Sequence, residues 1–120
     1  MHVLLIYCHP CPDSFSATLL EVATEALRSA GHDVEIRQLY AENFDPVRNA
    51  EERRRYYDES FQRGAPADHI ASLQRAEALV LVYPTWWFGP PAMLKGWFDR
   101  VWLPGVAFRV GGPTVCCNRY

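Results

Sequence analysis

Lysine is nearly absent. Lys95 is the only one, and the other eleven of the twelve basic residues are arginines, set against fourteen acidic residues for a net charge of -2. With no basic excess to neutralise a phosphate backbone, the chain is not expected to bind nucleic acid. It also lacks any apolar run near the ~20 residues that a membrane-spanning helix needs, so no membrane insertion is expected. No basic stretch follows Met1-His2 ahead of the first apolar run. A secretory signal is therefore not expected, and the expected location is cytoplasmic. The Gly-rich dinucleotide fingerprint and the Walker lysine are both missing. No arginine stands six residues after Cys8 or Cys11, where Ser14 and Ala17 are found. That excludes a tyrosine-phosphatase-like loop, which needs the arginine to hold a phosphoryl group. Cysteine is limited to Cys8, Cys11, Cys116 and Cys117. In a reducing compartment these imply free thiols, redox chemistry or a metal before structural disulfides.

What is present is apolar and aromatic: 49% hydrophobic and 13% aromatic residues over 120 positions, enough for one packed core and one domain. His2 to Cys8 contains the run Val-Leu-Leu-Ile-Tyr, the pattern of a strand buried on both faces. His9-Pro10-Cys11-Pro12 ends it. A helix is expected from Asp13 or Ser14, with Phe15, Leu19, Val22, Ala26 and Ala30 as its buried face and Gly31 as its stop. Asp33 to Leu39 alternates as a strand nearer the sheet edge. From Tyr40 to Asp68 the rhythm breaks. Asn43-Phe44-Asp45-Pro46 signals a turn, and the charge run Glu51 to Arg55 is best explained as a solvated face, a basic ligand clamp being the alternative. His69 to Ala76 suits a short helix with Ile70 and Leu73 inward, and His69 itself reads as structural or exposed. Ala78 to Tyr83 is a second continuous apolar strand. Pro90-Pro91 open a last helix whose buried face is Met93, Leu94, Trp97, Phe98, Val101 and Trp102. Its other face is Lys95, Gly96, Asp99 and Arg100, and Pro104-Gly105 end it. Strand and helix alternate, so the fold class is α/β, a doubly wound parallel sheet with helices on both faces.

In such sheets ligands bind beyond the carboxyl ends of the strands, where the strand order reverses. Two loops fall there. His9 to Ser16 leads into a helix N-terminus, whose free N–H groups suit an anion, with Ser14 and Ser16 either adding donors or acting only as caps. Pro84 to Gly89 carries Trp86, Trp87 and Phe88 in succession, rings that could sandwich a flat aromatic ligand. Cys8-His9-Pro10-Cys11 also reads as a C-x-x-C pair between a strand and a helix, the place of a thiol redox protein's dithiol. Against this, the helix starts after the pair and a helix follows Pro84. Zinc on Cys8, Cys11, Cys116 and Cys117 would have the right ligand count, but the adjacent last pair is not structural-site spacing. The chain is expected to hold no metal.

The segments His9-Pro10, Ser14-Phe15-Ser16, Asn43-Phe44-Asp45-Pro46 and above all Tyr83 to Val101 (Tyr-Pro-Thr-Trp-Trp-Phe-Gly-Pro-Pro-Ala-Met-Leu-Lys-Gly-Trp-Phe-Asp-Arg-Val) resemble the flavodoxin-like NAD(P)H:quinone oxidoreductases of the DT-diaphorase type. The resemblance runs from Met1 to about Phe108. It implies a three-layer flavodoxin-like sheet in the order 2-1-3, with the usual fourth and fifth strands missing. It implies FAD, or FMN, as cofactor and NAD(P)H as co-substrate. His9, Ser14, Phe15 and Ser16 would lie around the flavin's phosphates and ribityl chain, and Pro84, Thr85, Trp86, Trp87 and Phe88 along the isoalloxazine. Phe108 would stand beside the quinone and nicotinamide pocket, and no residue need be a covalent catalyst. By the same resemblance the partners are a quinone and a second copy in a homodimer. A non-catalytic flavin-binding or regulatory subunit of an efflux system is the alternative.

Residues 109–120 resemble no segment of that family, so residues 1–120 are expected to form a single partial domain with a non-family tail. The expected strand order leaves the third strand as an exposed edge. The aromatic helix from Pro91 to Trp102 is expected to drive self-association.

Overall fold

The computed structural model describes residues 1–61, 64 and 66–109. Seven elements follow one another: β1 (His2–Tyr7), α1 (Phe15–Ser29), β2 (Asp33–Gln38), α2 (Ala50–Arg54), α3 (Ala67–Arg75), β3 (Ala78–Val82) and α4 (Ala92–Val101). The three strands are parallel in the order β2-β1-β3. In register, Leu5 faces Ile36 on one side and Val80 on the other. Central β1 is buried from Val3 through Tyr7, as a continuous branched run in a parallel sheet requires. Of the expected tail, 109–120, all but Arg109 lies outside the described residues.

The core divides across the sheet. On one face Leu4, Ile6 and Cys8 pack with Leu39, Phe44, Leu94, Trp97 and Val101, beneath α3 and α4. On the other, Leu5, Tyr7 and Val82 pack under α1 through Ala17, Leu20, Ala23 and Leu27.

That second layer corrects the expected face of α1. Phe15 (77% exposed), Leu19 and Val22 point to solvent, and the helix instead buries Ser16 and Thr24. A helix lies on a sheet by the face that its connections present. Here those connections, a Ser14 cap at one end and Gly31 in a left-handed turn at the other, set the small-residue face down.

The outer face expected for α4 is corrected too. Gly96 is buried because Pro46 crosses it closely, and an added Cβ would overlap the proline's ring and main chain. Arg100 is buried because the segment 44–52 folds over it. Its guanidinium donates to both oxygens of Glu52 (2.5–3.2 Å) and to the Asp45 carbonyl (2.7 Å). The Glu51–Arg55 charge run is therefore not wholly a solvated face. Asn49 and Glu52 form a capping box at the start of α2, and Glu52 is buried. His69 is buried as well, accepting at Nδ1 from Trp97 Nε1 (3.2 Å) with its ring edge-on to Phe44. Of the three α4 rings on which the expected self-association rested, Trp97 is fully internal, Phe98 is half-buried and Trp102 is exposed.

Candidate active site

The two candidate loops meet because their strands are neighbours. Cys8 N–H donates to the Val82 carbonyl (3.0 Å), extending the β1–β3 ladder one residue past each strand. Beyond it the chains diverge into 9–14 and 83–91. His9 and Trp86 face each other across the gap, edge to face, with ring centroids 6.0 Å apart.

The first loop is organised by its own polar groups. The Cys11 N–H donates to His9 Nδ1 (3.0 Å), so the imidazole proton belongs on Nε2, away from the loop backbone. Ser14 caps α1: its Oγ accepts from the Ala17 N–H (3.2 Å) and lies 3.4 Å from the Tyr7 hydroxyl. Tyr7 closes β1, and its place in the apolar run predicts only a strand residue. Its signal was a hydroxyl at the last strand position, pointing along the strand toward the loop. Ser16 is buried in the first turn, whereas Phe15 beside it is exposed. Phe15 is thus available to a ligand and Ser16 Oγ is largely screened from one.

The second loop contains the chief irregularity of the backbone. Trp86 and Gly89 exchange two hydrogen bonds, Trp86 N–H to Gly89 O (3.0 Å) and Gly89 N–H to Trp86 O (3.3 Å). Trp87 and Phe88 between them have φ of 50° and 59°. Two successive positive values are the signature of a type I′ turn, a place for Asn-Gly, and bulky residues there are strained. Their rings are 94% and 96% exposed, so burial within the chain returns nothing for that strain. Strain held at exposed aromatic side chains points to a binding surface. Pro84 is half-buried, Thr85 is exposed, and Trp86 is 44% exposed.

Phe108 is not brought to this cluster. It closes a turn in which its carbonyl accepts from the Gly105 N–H (2.7 Å), beyond the far end of α4. Ten helical residues, about 15 Å at 1.5 Å each, separate that end from the aromatic turn.

The dithiol reading loses its chemistry. Cys8 is buried in the core and desolvation pushes its thiol up to about 11, opposite to the shift that makes a reactive thiolate. Cys11 is exposed on the loop. Among the described residues no group of histidine, cysteine and carboxylate side chains could hold a metal ion. No described helix is long and apolar enough to cross a membrane.

These features fit a flavin. A helix N-terminus and an imidazole Nε2–H offer donors for its anionic end, and the exposed aromatic turn that follows Trp86, whose ring lies 6.0 Å from that of His9, offers a surface for its planar end.

Comparison with known proteins points the same way. Rat ribosyldihydronicotinamide dehydrogenase [quinone] is 35% identical over 126 aligned positions, covering 92% of this chain and 54% of the rat protein. Guinea-pig NAD(P)H dehydrogenase [quinone] 1 is 34% identical, covering 88% of this chain and 44% of its own length. The solved structure of the NAD(P)H:quinone oxidoreductase from Methanothermobacter marburgensis superposes with a TM-score of 0.80 at 41% identity, over 93% of this chain and 58% of that one. The chain spans about half the length of the curated relatives it matches. A family model described as flavodoxin-like fold matches residues 1–116, and with the parallel β2-β1-β3 sheet it shows that the chain belongs to the flavodoxin-like fold family.

Proposed function

We propose that this chain carries the flavin-binding half-site of an NAD(P)H:quinone oxidoreductase. The observation that carries the reading is the pairing of the α1 N-terminal loop with the strained, exposed Trp87–Phe88 turn at the adjoining ends of β1 and β3. FAD is the preferred cofactor and FMN the alternative. When bound, the flavin supplies the hydride chemistry, taking hydride from NAD(P)H and passing it to a quinone.

The chain's own residues bind and orient. The N–H groups at the start of α1 and His9 Nε2 face the phosphate end, with Ser14 held by Tyr7 and Ala17 so that the loop is preorganised. Phe15 borders the ribityl chain. Pro84, Thr85, Trp86, Trp87 and Phe88 line the isoalloxazine and exclude water from it. Phe108 serves the quinone pocket only if a second copy or another part of the fold brings it there, which accords with a homodimer and a site shared across it. The location is cytoplasmic, and residues 1–120 act as a single, partial domain.

Neither alternative draws support from the relatives, whose names are those of dehydrogenases and oxidoreductases. The test is titration of the purified chain with FAD and with FMN, followed by NADH and NADPH oxidation with a benzoquinone acceptor. Quenched flavin fluorescence with quinone-dependent oxidation is expected. Absence of binding for either flavin at high micromolar concentration would refute the reading.

A further inference from the structure

We propose that His69 is a proton-operated latch: its neutral ring holds the first turn of α3 against α4, and a proton taken up at Nδ1 drives the ring out toward Glu42 and parts that turn from α4. The latch is separate from the flavin loops and does not depend on the function assigned to them.

The bonding leaves one arrangement of protons. Trp97 Nε1 donates to His69 Nδ1 (3.2 Å), and both residues are buried. An indole N–H only donates, so Nδ1 carries a lone pair and the single proton of the neutral ring sits on Nε2. A second proton can enter only at Nδ1. Two N–H donors would then face each other across 3.2 Å inside the core, neither with an acceptor. One ring must leave. Trp97 is fully internal among Leu4, Ile6, Leu94 and Val101, so the ring that moves is the imidazole.

His69 has an exit. Its Nε2 lies 3.6 Å from Glu42 Oε1, and the Glu42 side chain is 33% exposed, so this carboxylate marks the solvent side of the ring. Glu42 is itself fixed against the end of β2, accepting from Arg37 Nη1 (3.0 Å) and from the Gln38 N–H (2.7 Å). The other charged groups that act on the ring are Arg37 and Glu35 of β2 and Asp68 of α3. α4 presents the indole, with Arg100 beyond Phe44 and already paired with Glu52. Burial outweighs the three carboxylates and keeps the ring neutral below its ordinary value.

The movement is confined to one end of α3. Ser72, a turn further on, is fully buried and tied to β2, accepting from Arg37 Nε (3.1 Å) and donating to Glu35. Besides His69, the first turn has the packing of Ile70 and an exposed contact from Arg37 to the Asp68 carbonyl (3.2 Å), and Pro66 at its N-cap supplies no side-chain bond. The helix therefore hinges at Ser72.

The experiment follows the indole N–H signals of the four tryptophans in the full 120-residue chain by NMR from pH 7.5 to 5, with Trp97→Phe identifying the one that matters. The Trp97 signal should move in a single-proton step while the other three stay. A freed imidazole at pH 5 is about thirtyfold more protonated than neutral, so hydrogen exchange in the first turn of α3 should there exceed the intrinsic pH trend by about tenfold or more, with α1 unchanged. His69→Asn keeps an amide oxygen near the Nδ1 position to accept from Trp97 but cannot titrate, and should abolish both effects. Glu42→Gln removes the carboxylate that draws the ring out and should move the step to lower pH. No step in the parent, a step that persists in His69→Asn, or one unmoved by Glu42→Gln overturns the proposal. So does movement of all four indole signals together with faster exchange in α1, since the acid would then unfold the whole chain and open no latch.

Discussion

Replacing Trp87-Phe88 with Asn-Gly should make the protein more stable and its flavin binding weaker. Both residues sit at φ of 50° and 59°. Left-handed backbone costs a bulky L-residue roughly 1–2 kcal/mol, so the pair holds about 2–4 kcal/mol of strain. Asparagine tolerates this region, and glycine adopts it freely at an entropic cost of about 0.5–1 kcal/mol. The rings are 94% and 96% exposed, so deleting them loses almost no burial within the chain. The net expectation is a gain of about 1–3 kcal/mol. At roughly 4–8 °C per kcal/mol for a domain near this size, the melting temperature should rise by about 5–20 °C. Two ring contacts with a planar ligand, at about 1 kcal/mol each beyond area burial, are lost in the same variant, so flavin affinity should fall by about thirtyfold. The assays are a thermal melt and a flavin titration on the same preparation. A melt that is unmoved or lowered would refute the strain. A melt that rises with unchanged flavin affinity would show the strain to be real and the rings to serve something else.

Two further expectations concern the packing beneath the site. Glu52→Ala leaves the Arg100 guanidinium buried without its carboxylate and should cost about 3–5 kcal/mol by denaturant unfolding, whereas the paired change Glu52→Leu with Arg100→Met should cost far less; equal losses would mean the ion pair itself holds the 44–52 segment. Burial lowers the His69 pKa below its ordinary value, so the folded chain resists protonating it. Its contribution is whole above the unfolded pKa of about 6.5 and is lost as pH falls through the folded value. His2, raised by the hydrogen bonds its ring N–H groups donate to Asp33 and Glu35, acts in the opposite sense, contributing below about 6.5 and losing its effect as pH rises through its folded value. Melts from pH 7.5 to 5 should therefore fall less steeply in His69→Gln than in the parent, and parallel curves would remove His69 from the acid response.

The buried parallel sheet and the place where the two candidate loops meet were legible in local chemistry. Continuous branched runs such as Val3 to Tyr7 and Ala78 to Val82 suit strands covered on both faces, and Pro10, Pro12 and Pro84 cannot continue them. Loops after such strands must gather at one end of the sheet, which is why His9 and Trp86 meet as expected. Hydropathy states which side chains gain from leaving water, but not which of them find a partner surface. α1 offers two usable faces, and the sheet covers the smaller one, Ala17, Leu20, Ala23 and Leu27, leaving Phe15, Leu19 and Val22 outside. Arg100, Glu52 and His69 have polar formulae that favour solvent, and their burial depends on contacts from residues 25 to 55 positions away. Arg100 needs Glu52 and the Asp45 carbonyl, while His69 needs Trp97 and Phe44. Likewise, three aromatics in succession marked a candidate ligand surface, but only the closed turn between Trp86 and Gly89 sets the left-handed backbone that holds two of them in solvent.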